Sequence, residues 1–260
     1  MQELKEETAE LLQRGGLMTS KFRKYLFKFA CRILIFTTVF VLYLTRRELL
    51  TAMLTQDLKY GVTPLHVLWA VFMCIMISHL FPGKLRTMAL LKSKDENFDP
   101  DPEYSEFELL KFVQQMNRKA WRVMLVWLSG NAVAGLLYCF GVIHEEELFL
   151  LTVFFFLCDY ICILVFCPFQ TFIMKNRCCV NCRIYDWGHF MMFTPMLFIR
   201  NFFSWSLFFT SCIVLIRWEL VYAAHPERFW YGSNRTLRCE NCRDRTCRMK
   251  KALAGMARRK

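Results

Sequence analysis

Charge is missing from long stretches of this 260-residue chain. None falls between Tyr60 and Gly83 or between Val123 and Ile143, and Leu148 to Met174 holds only Asp159. A helix needs about 20 apolar residues to span a bilayer core, so each block is long enough to cross. Three such blocks exclude an ordinary soluble globule. So does a hydrophobic content of 55%, where a soluble domain has roughly 45–50%. A cleavable signal pattern is also missing. The N-terminal 20 residues are polar and acidic, and the first apolar run follows Lys21, Arg23, Lys24 and Lys28 with no small-residue cleavage site. The chain lacks a phosphate-binding glycine loop, a nucleophile elbow, a kinase motif set and a membrane-protease motif. The sequence therefore assigns no enzyme class.

What is present predicts an all-α fold, a polytopic transmembrane helical bundle with four spans plus a re-entrant hairpin or a fifth span. Residues 1–24 read as an N-terminal polar leader. Residues 25–222 form the transmembrane region, with a cytoplasmic loop at 84–122, and 223–260 form a basic, cysteine-containing tail. The first span covers Ile33 to Thr45 and reaches full length only if it starts near Tyr25, with Lys28 and Arg32 snorkelling to the interface. The second runs about Val62 to Phe81 and stops at Pro82-Gly83. An exposed acidic loop around Asp95 to Glu108 follows, then an amphipathic surface helix over Leu109 to Arg122. The third span, Val123 to Ile143, carries Gly130, Ala134 and Gly135, small residues that let another helix approach. A solvated turn, His144 to Glu147, leads into the fourth, Leu148 to Met174.

Lys and Arg outnumber Asp and Glu by 34 to 22 and cluster at the ends of the apolar blocks, as in membrane proteins. No nucleic acid is expected. Five basic residues precede the first span, eight occupy the long loop and eleven follow Tyr222, against three in the first hairpin and none in the second. This asymmetry predicts a multi-pass protein of the cell membrane with both termini cytoplasmic. Besides the lipid bilayer, the basic tail could engage anionic lipid or an acidic protein.

The stretch His189 to Tyr222 is 34 residues long and is broken by Pro195 and Arg200-Asn201. At about 50 Å as helix it exceeds one straight span. One crossing would place the basic tail outside, so a hairpin turning near Arg200-Asn201 is expected. The alternative is an interfacial helix followed by one short span, Asn201 to Ile216.

Of 13 cysteines, seven lie in or beside apolar spans, where packing accounts for them. The others form two polar clusters: Cys178, Cys179 and Cys182, then Cys239, Cys242 and Cys247. Both contain Cys-x-Asn-Cys-Arg. Two thiolates two residues apart can face one tetrahedral metal from a tight turn, and two such turns make a four-sulfur site. The turns resemble the paired knuckles of zinc ribbons and rubredoxin-like sites. The expected ligands are Cys179, Cys182, Cys239 and Cys242, with Cys178 and Cys247 as further candidates and Arg183 and Arg243 offsetting the charge. Structural Zn2+ is favoured, with an iron–sulfur cluster as the alternative.

Asp159 is expected mid-span and, as an intramembrane carboxylate, is a candidate functional residue, paired with Arg200 at the hairpin tip. His79 reads as a packing histidine. Three function classes follow. The first is a scaffold or partner-binding subunit with a structural zinc site. The others are a membrane oxidoreductase subunit with an iron–sulfur or dithiol centre, and a small transporter using Asp159 and Arg200.

Overall fold

The structure is a computed structural model; it describes residues 20–55, 61–81, 87–176, 178–242 and 247. The leader up to residue 19, the Pro82-Gly83 stop, Arg243 and the end of the basic tail lie outside the described residues.

The fold is all-helical. Four helices are long and apolar enough to span a membrane. They are α1 (Ser20–Thr45), α5 (Glu106–Cys139), α6 (Glu145–Leu164) and α8 (Phe202–Ala224). Between them lie α2 (Arg47–Thr55), the shorter apolar α3 (Pro64–Leu80), α4 (Met88–Leu91) and α7 (Gly188–Phe193).

Local chemistry sets several of the boundaries. At the start of α3, the Thr63 hydroxyl accepts from His66 N and the His66 ring accepts from Thr63 N, a reciprocal cap, with Pro64 preset for a first turn. Asn201 Oδ1 accepts from Ser204 N at 2.7 Å to start α8. The acids Glu145, Glu146 and Glu147 occupy the first turn of α6, where the helix dipole favours negative charge.

Two boundaries differ from the expectation. The surface helix and third span are one continuous α5, because no glycine or proline interrupts Glu106 to Ser129. The fourth span ends at Leu164 rather than Met174, since Pro168 removes a backbone donor and disfavours helix in the residue before it. A single π-type turn, Phe169–Met174, follows it. Asp159 therefore lies near the end of α6 and not at mid-span.

One end of the bundle holds the His144 turn. Arg47 pairs there with Glu146 at 2.9 Å and Glu147 at 2.7 Å, and Tyr43 donates to Glu147 at 2.8 Å. The turn expected to be solvated thus clamps the α1–α2 elbow to α6. Asn201 reaches the same end, donating to Leu54 O at 3.3 Å.

The opposite end holds the polar cysteine clusters. Here the acidic loop is largely exposed, as expected, and is docked at a few points. Asp101 N donates to Ser233 O at 2.9 Å and Arg235 N to Asp99 O at 2.8 Å. Arg228 pairs with Asp95 at 2.8 Å, and Arg238 with Asp101. Complementary charge between the loop and residues 228–238 holds the start of the tail against the bundle.

The chain from Asp186 to Asn201 connects the two ends through α7 and a 3-10 turn, Thr194–Phe198. It reverses at Ile199–Asn201 and returns as α8. Phe193, Thr194, Pro195, Met196 and Ile199 are all buried. Gly135 of α5 makes this packing possible, because a Cβ there would meet the Phe198 ring at 2.3 Å. Gly130 has no such neighbour. The close approach thus falls on one of the small residues singled out in the third span.

Candidate functional site

The two polar cysteine clusters come together at one end of the bundle. In the first, Cys182 N donates to Cys179 O at 3.1 Å and Val180 N donates to Cys178 Sγ at 3.4 Å. In the second, Cys242 N donates to Cys239 O at 3.4 Å. Val180 and Leu237, one from each cluster's neighbourhood, pack with Ala89 into a small apolar cluster, and Cys178 and Cys242 both rest on it. Burial pushes the Cys178 thiol up to about 12, and the neighbouring thiols of Cys247, Cys179 and Cys242 add to the rise.

The four cysteines expected as ligands have different surroundings. Cys179 donates from Sγ to Gln170 Oε1 at 3.3 Å. Cys182 is buried, and burial pushes its thiol up to about 11 against the pull of Lys92. Cys239 is exposed and Cys242 half-buried. Among the described residues, no three His, Cys, Asp or Glu side chains are grouped so as to hold a metal ion.

Lys92 forms the floor beneath the first cluster. Its side chain is fully buried, and Nζ donates to Val180 O at 2.8 Å and Cys182 O at 2.7 Å. The rings of Phe229 and Trp218 lie 5.4 and 5.5 Å from Nζ. Burial drives its pKa down to about 8, and the nearby thiols and Asp186 oppose that fall. In the sequence Lys92 is one basic residue among eight in a loop. Only the tertiary fold marks it out, because its partners are backbone carbonyls.

Arg183 follows the first cluster and is also buried. It forks onto Glu219 of α8 at 2.9 and 2.5 Å and donates to Asn117 at 3.0 Å. Its guanidinium lies 4.2 Å from the Tyr222 ring, and Trp187 Nε1 donates to Glu219 at 2.8 Å. Arg183 thus serves the clamp to α8 and not the neutralisation of cysteine charge.

A polar strip extends from here into the bundle. His79 meets Asp186 at 2.7 Å, and the His79 and His189 rings sit edge to face at 4.7 Å. Burial pushes the Asp186 carboxyl up, and the His79 contact pulls it back. Gly188 brings α7 against Asp159, where a Cβ would lie 3.1 Å from Oδ1.

Asp159 pairs with Arg32 of α1 at 2.8 Å, not with Arg200. Arg32 also donates to Phe156 O at 2.5 Å and lies over the Phe156 and Tyr160 rings, 4.0 Å from each. Arg200 is exposed at the other end of the bundle, in the electrostatic neighbourhood of Tyr138 and Glu145. The intervening turn of 3-10 helix and α7 separates the two proposed partners. Arg32 carried a signal in the sequence, as a basic residue one helical turn inside an apolar run.

Comparison with protein-family models, curated proteins and solved structures finds no match for this chain.

Proposed function

We propose that this chain is a multi-pass membrane scaffold whose cysteine-rich end faces the cytoplasm and takes one thiophilic metal ion, zinc before iron. The observation that carries this reading is the packing of Cys178 and Cys242, from clusters far apart in the chain, on one apolar cluster. The candidate ligand set is Cys178 with Cys247, Cys179 and Cys242, the three thiols that bear on it electrostatically; they are not grouped closely enough as they stand, so an ion would have to draw them together. Cys239 is exposed and Cys182 is buried with its thiol held up by that burial, which sets both apart from this group. Four thiols from two turns are the donor chemistry of a closed structural zinc site. Bound there, the ion would fasten the tail to the loop that Lys92 already anchors.

The purified full-length protein is expected to carry about one zinc per chain, as in a four-thiolate structural site. A Cys178→Ser/Cys242→Ser variant should lose it, and a Cys182→Ser/Cys239→Ser variant should keep it. Absence of metal, or equal loss from both variants, would reject this ligand set. Iron with acid-labile sulfide would favour the oxidoreductase reading instead.

The orientation rests on charge. Among the described residues, Arg23, Lys24 and Lys28 in the first turns of α1, Lys92 and Lys94 in the loop before α5, and Arg228, Arg235 and Arg238 after α8 belong to the cysteine end, and cytoplasmic segments of membrane proteins are rich in Lys and Arg. In this arrangement residues 188–224 cross twice, once as the short broken segment through α7 and once as α8. Non-helical backbone is tolerated at membrane depth when protein covers it, and residues 193–196 and Ile199 are buried. A phosphatase reporter active only outside the cytoplasm should be active when fused after Arg200 and silent after His225. Silence at both positions would indicate a shallow re-entrant hairpin.

A further inference from the structure

Five cysteines line the path from the end of α6 to the first cluster, and two of them are paired. Cys162 lies in the last turn of α6 and Cys167 just beyond its end, and their side chains are hydrogen-bonded to each other. Both are half-buried. Gln170 N donates to Cys167 Sγ at 3.4 Å. The same glutamine accepts from Cys179 Sγ through Oε1 at 3.3 Å and donates through Nε2 to Asn176 O at 3.2 Å.

This geometry differs from that of the neighbouring thiols. Cys158 and Cys162 share a helix face four residues apart, where Cβ atoms stand about 5–6 Å from each other. A disulfide needs about 3.5–4.5 Å, so the helix would have to distort. Cys167 lies past the helix end, in the connection that Pro168 forces out of the α6 path, and it can approach Cys162 without unwinding a turn. The Gln170 N–H points at the Cys167 sulfur, where it favours the thiolate over the thiol.

We infer that Cys162 and Cys167 form a redox-active dithiol that closes to an internal disulfide by exchange with a small disulfide of the glutathione class. The Cys167 thiolate attacks one sulfur of the small disulfide and releases one small thiol, leaving a mixed disulfide on Cys167. The Cys162 sulfur then attacks the Cys167 sulfur and expels the second small thiol. The two cysteine protons leave with the two released thiols. The dithiol loses two electrons and the small disulfide gains them, so the exchange balances. Gln170 couples the pair to Cys179, because closing the disulfide removes the thiolate character that its N–H serves.

The test equilibrates the purified full-length protein with glutathione and glutathione disulfide at graded ratios. Free thiols are then trapped with iodoacetamide and the segment 162–167 is mapped by mass spectrometry. The expected result is loss of two hydrogens within that segment as the buffer becomes oxidising. Cys162→Ser should accumulate a glutathione adduct on Cys167, and Cys167→Ser should leave Cys162 open to alkylation. Both residues remaining alkylated in the most oxidising buffer would overturn the inference, as would separate adducts with no internal bond. Zinc content followed in parallel separates this result from the metal reading, since Cys162→Ser is expected to leave it unchanged.

Discussion

Replacing Glu219 with alanine is expected to cost about 3 kcal/mol of stability, toward the lower end of the range for breaking a buried ion pair. The loss falls on Arg183, which keeps its charge because a guanidinium does not deprotonate in proteins. Its side chain is 8% exposed, so the abandoned charge has little water to turn to. Glu219 is 34% exposed, and solvent entering its place moderates the penalty. Trp187 Nε1 loses its acceptor at the same time. The double variant Arg183→Met/Glu219→Leu should recover most of the loss, because neither charge then remains to be solvated. Reversible unfolding in mild detergent measures all three proteins. A Glu219→Ala loss below about 1 kcal/mol, the value of an ordinary exposed pair, would show that the clamp does not hold the cysteine turn to α8.

The second large effect concerns Arg32 and Asp159, and it is asymmetric. Asp159→Asn should cost about 3 kcal/mol, the scale of an uncompensated charge in a membrane helix. Arg32 keeps its charge, with only neutral partners left: the new amide oxygen, the Phe156 carbonyl and the two ring faces. Arg32→Met should cost less, because an abandoned carboxyl can take up a proton and become neutral. The paired change Arg32→Met/Asp159→Asn should lie closer to the parent than Asp159→Asn alone. Equal losses for the two single variants would mean that the charges are already well hydrated. Severe loss of a transport activity in Asp159→Asn, with stability unchanged, would instead favour the transporter reading.

Three of the four long apolar helices, α1, α5 and α6, were legible as spans because membrane insertion imposes a length and a composition that can be counted along the chain; the expected second span is the shorter α3, and α8 was read as an arm of a hairpin or a short span. The start at Asn201 was legible because a capping side chain acts on neighbouring backbone, whereas the break before Pro168 was missed, since apolar length alone carried the span on to Met174. The continuity of α5 was not inferred from charge pattern. The polar stretch from Glu106 to Arg122 looks like a separate surface helix, yet its own backbone preferences allow it to run straight into the span. The docking of the acidic loop on residues 228–238 left a trace in complementary charge, although the pairing of Asp101 with Arg238 needed the fold.

The candidate site divides in the same way. The double Cys-x-Asn-Cys-Arg pattern singled out the cysteine end from residue types and spacing alone. Which sulfurs lie near one another depends on how α4, the first turn and the tail pack on Ala89, Val180 and Leu237. Lys92, the Arg183–Glu219 fork and the Arg32–Asp159 pair were decided only in three dimensions. Each joins groups on different elements, and a charge finds its partner through burial and packing rather than through distance along the chain. The sequence by itself determined the helical, membrane-spanning character and the asymmetry of basic charge, because both depend on local composition. The tertiary structure decided the partners of the buried charges, because desolvation makes an unpaired one costly and the assembled bundle settles which partner is within reach.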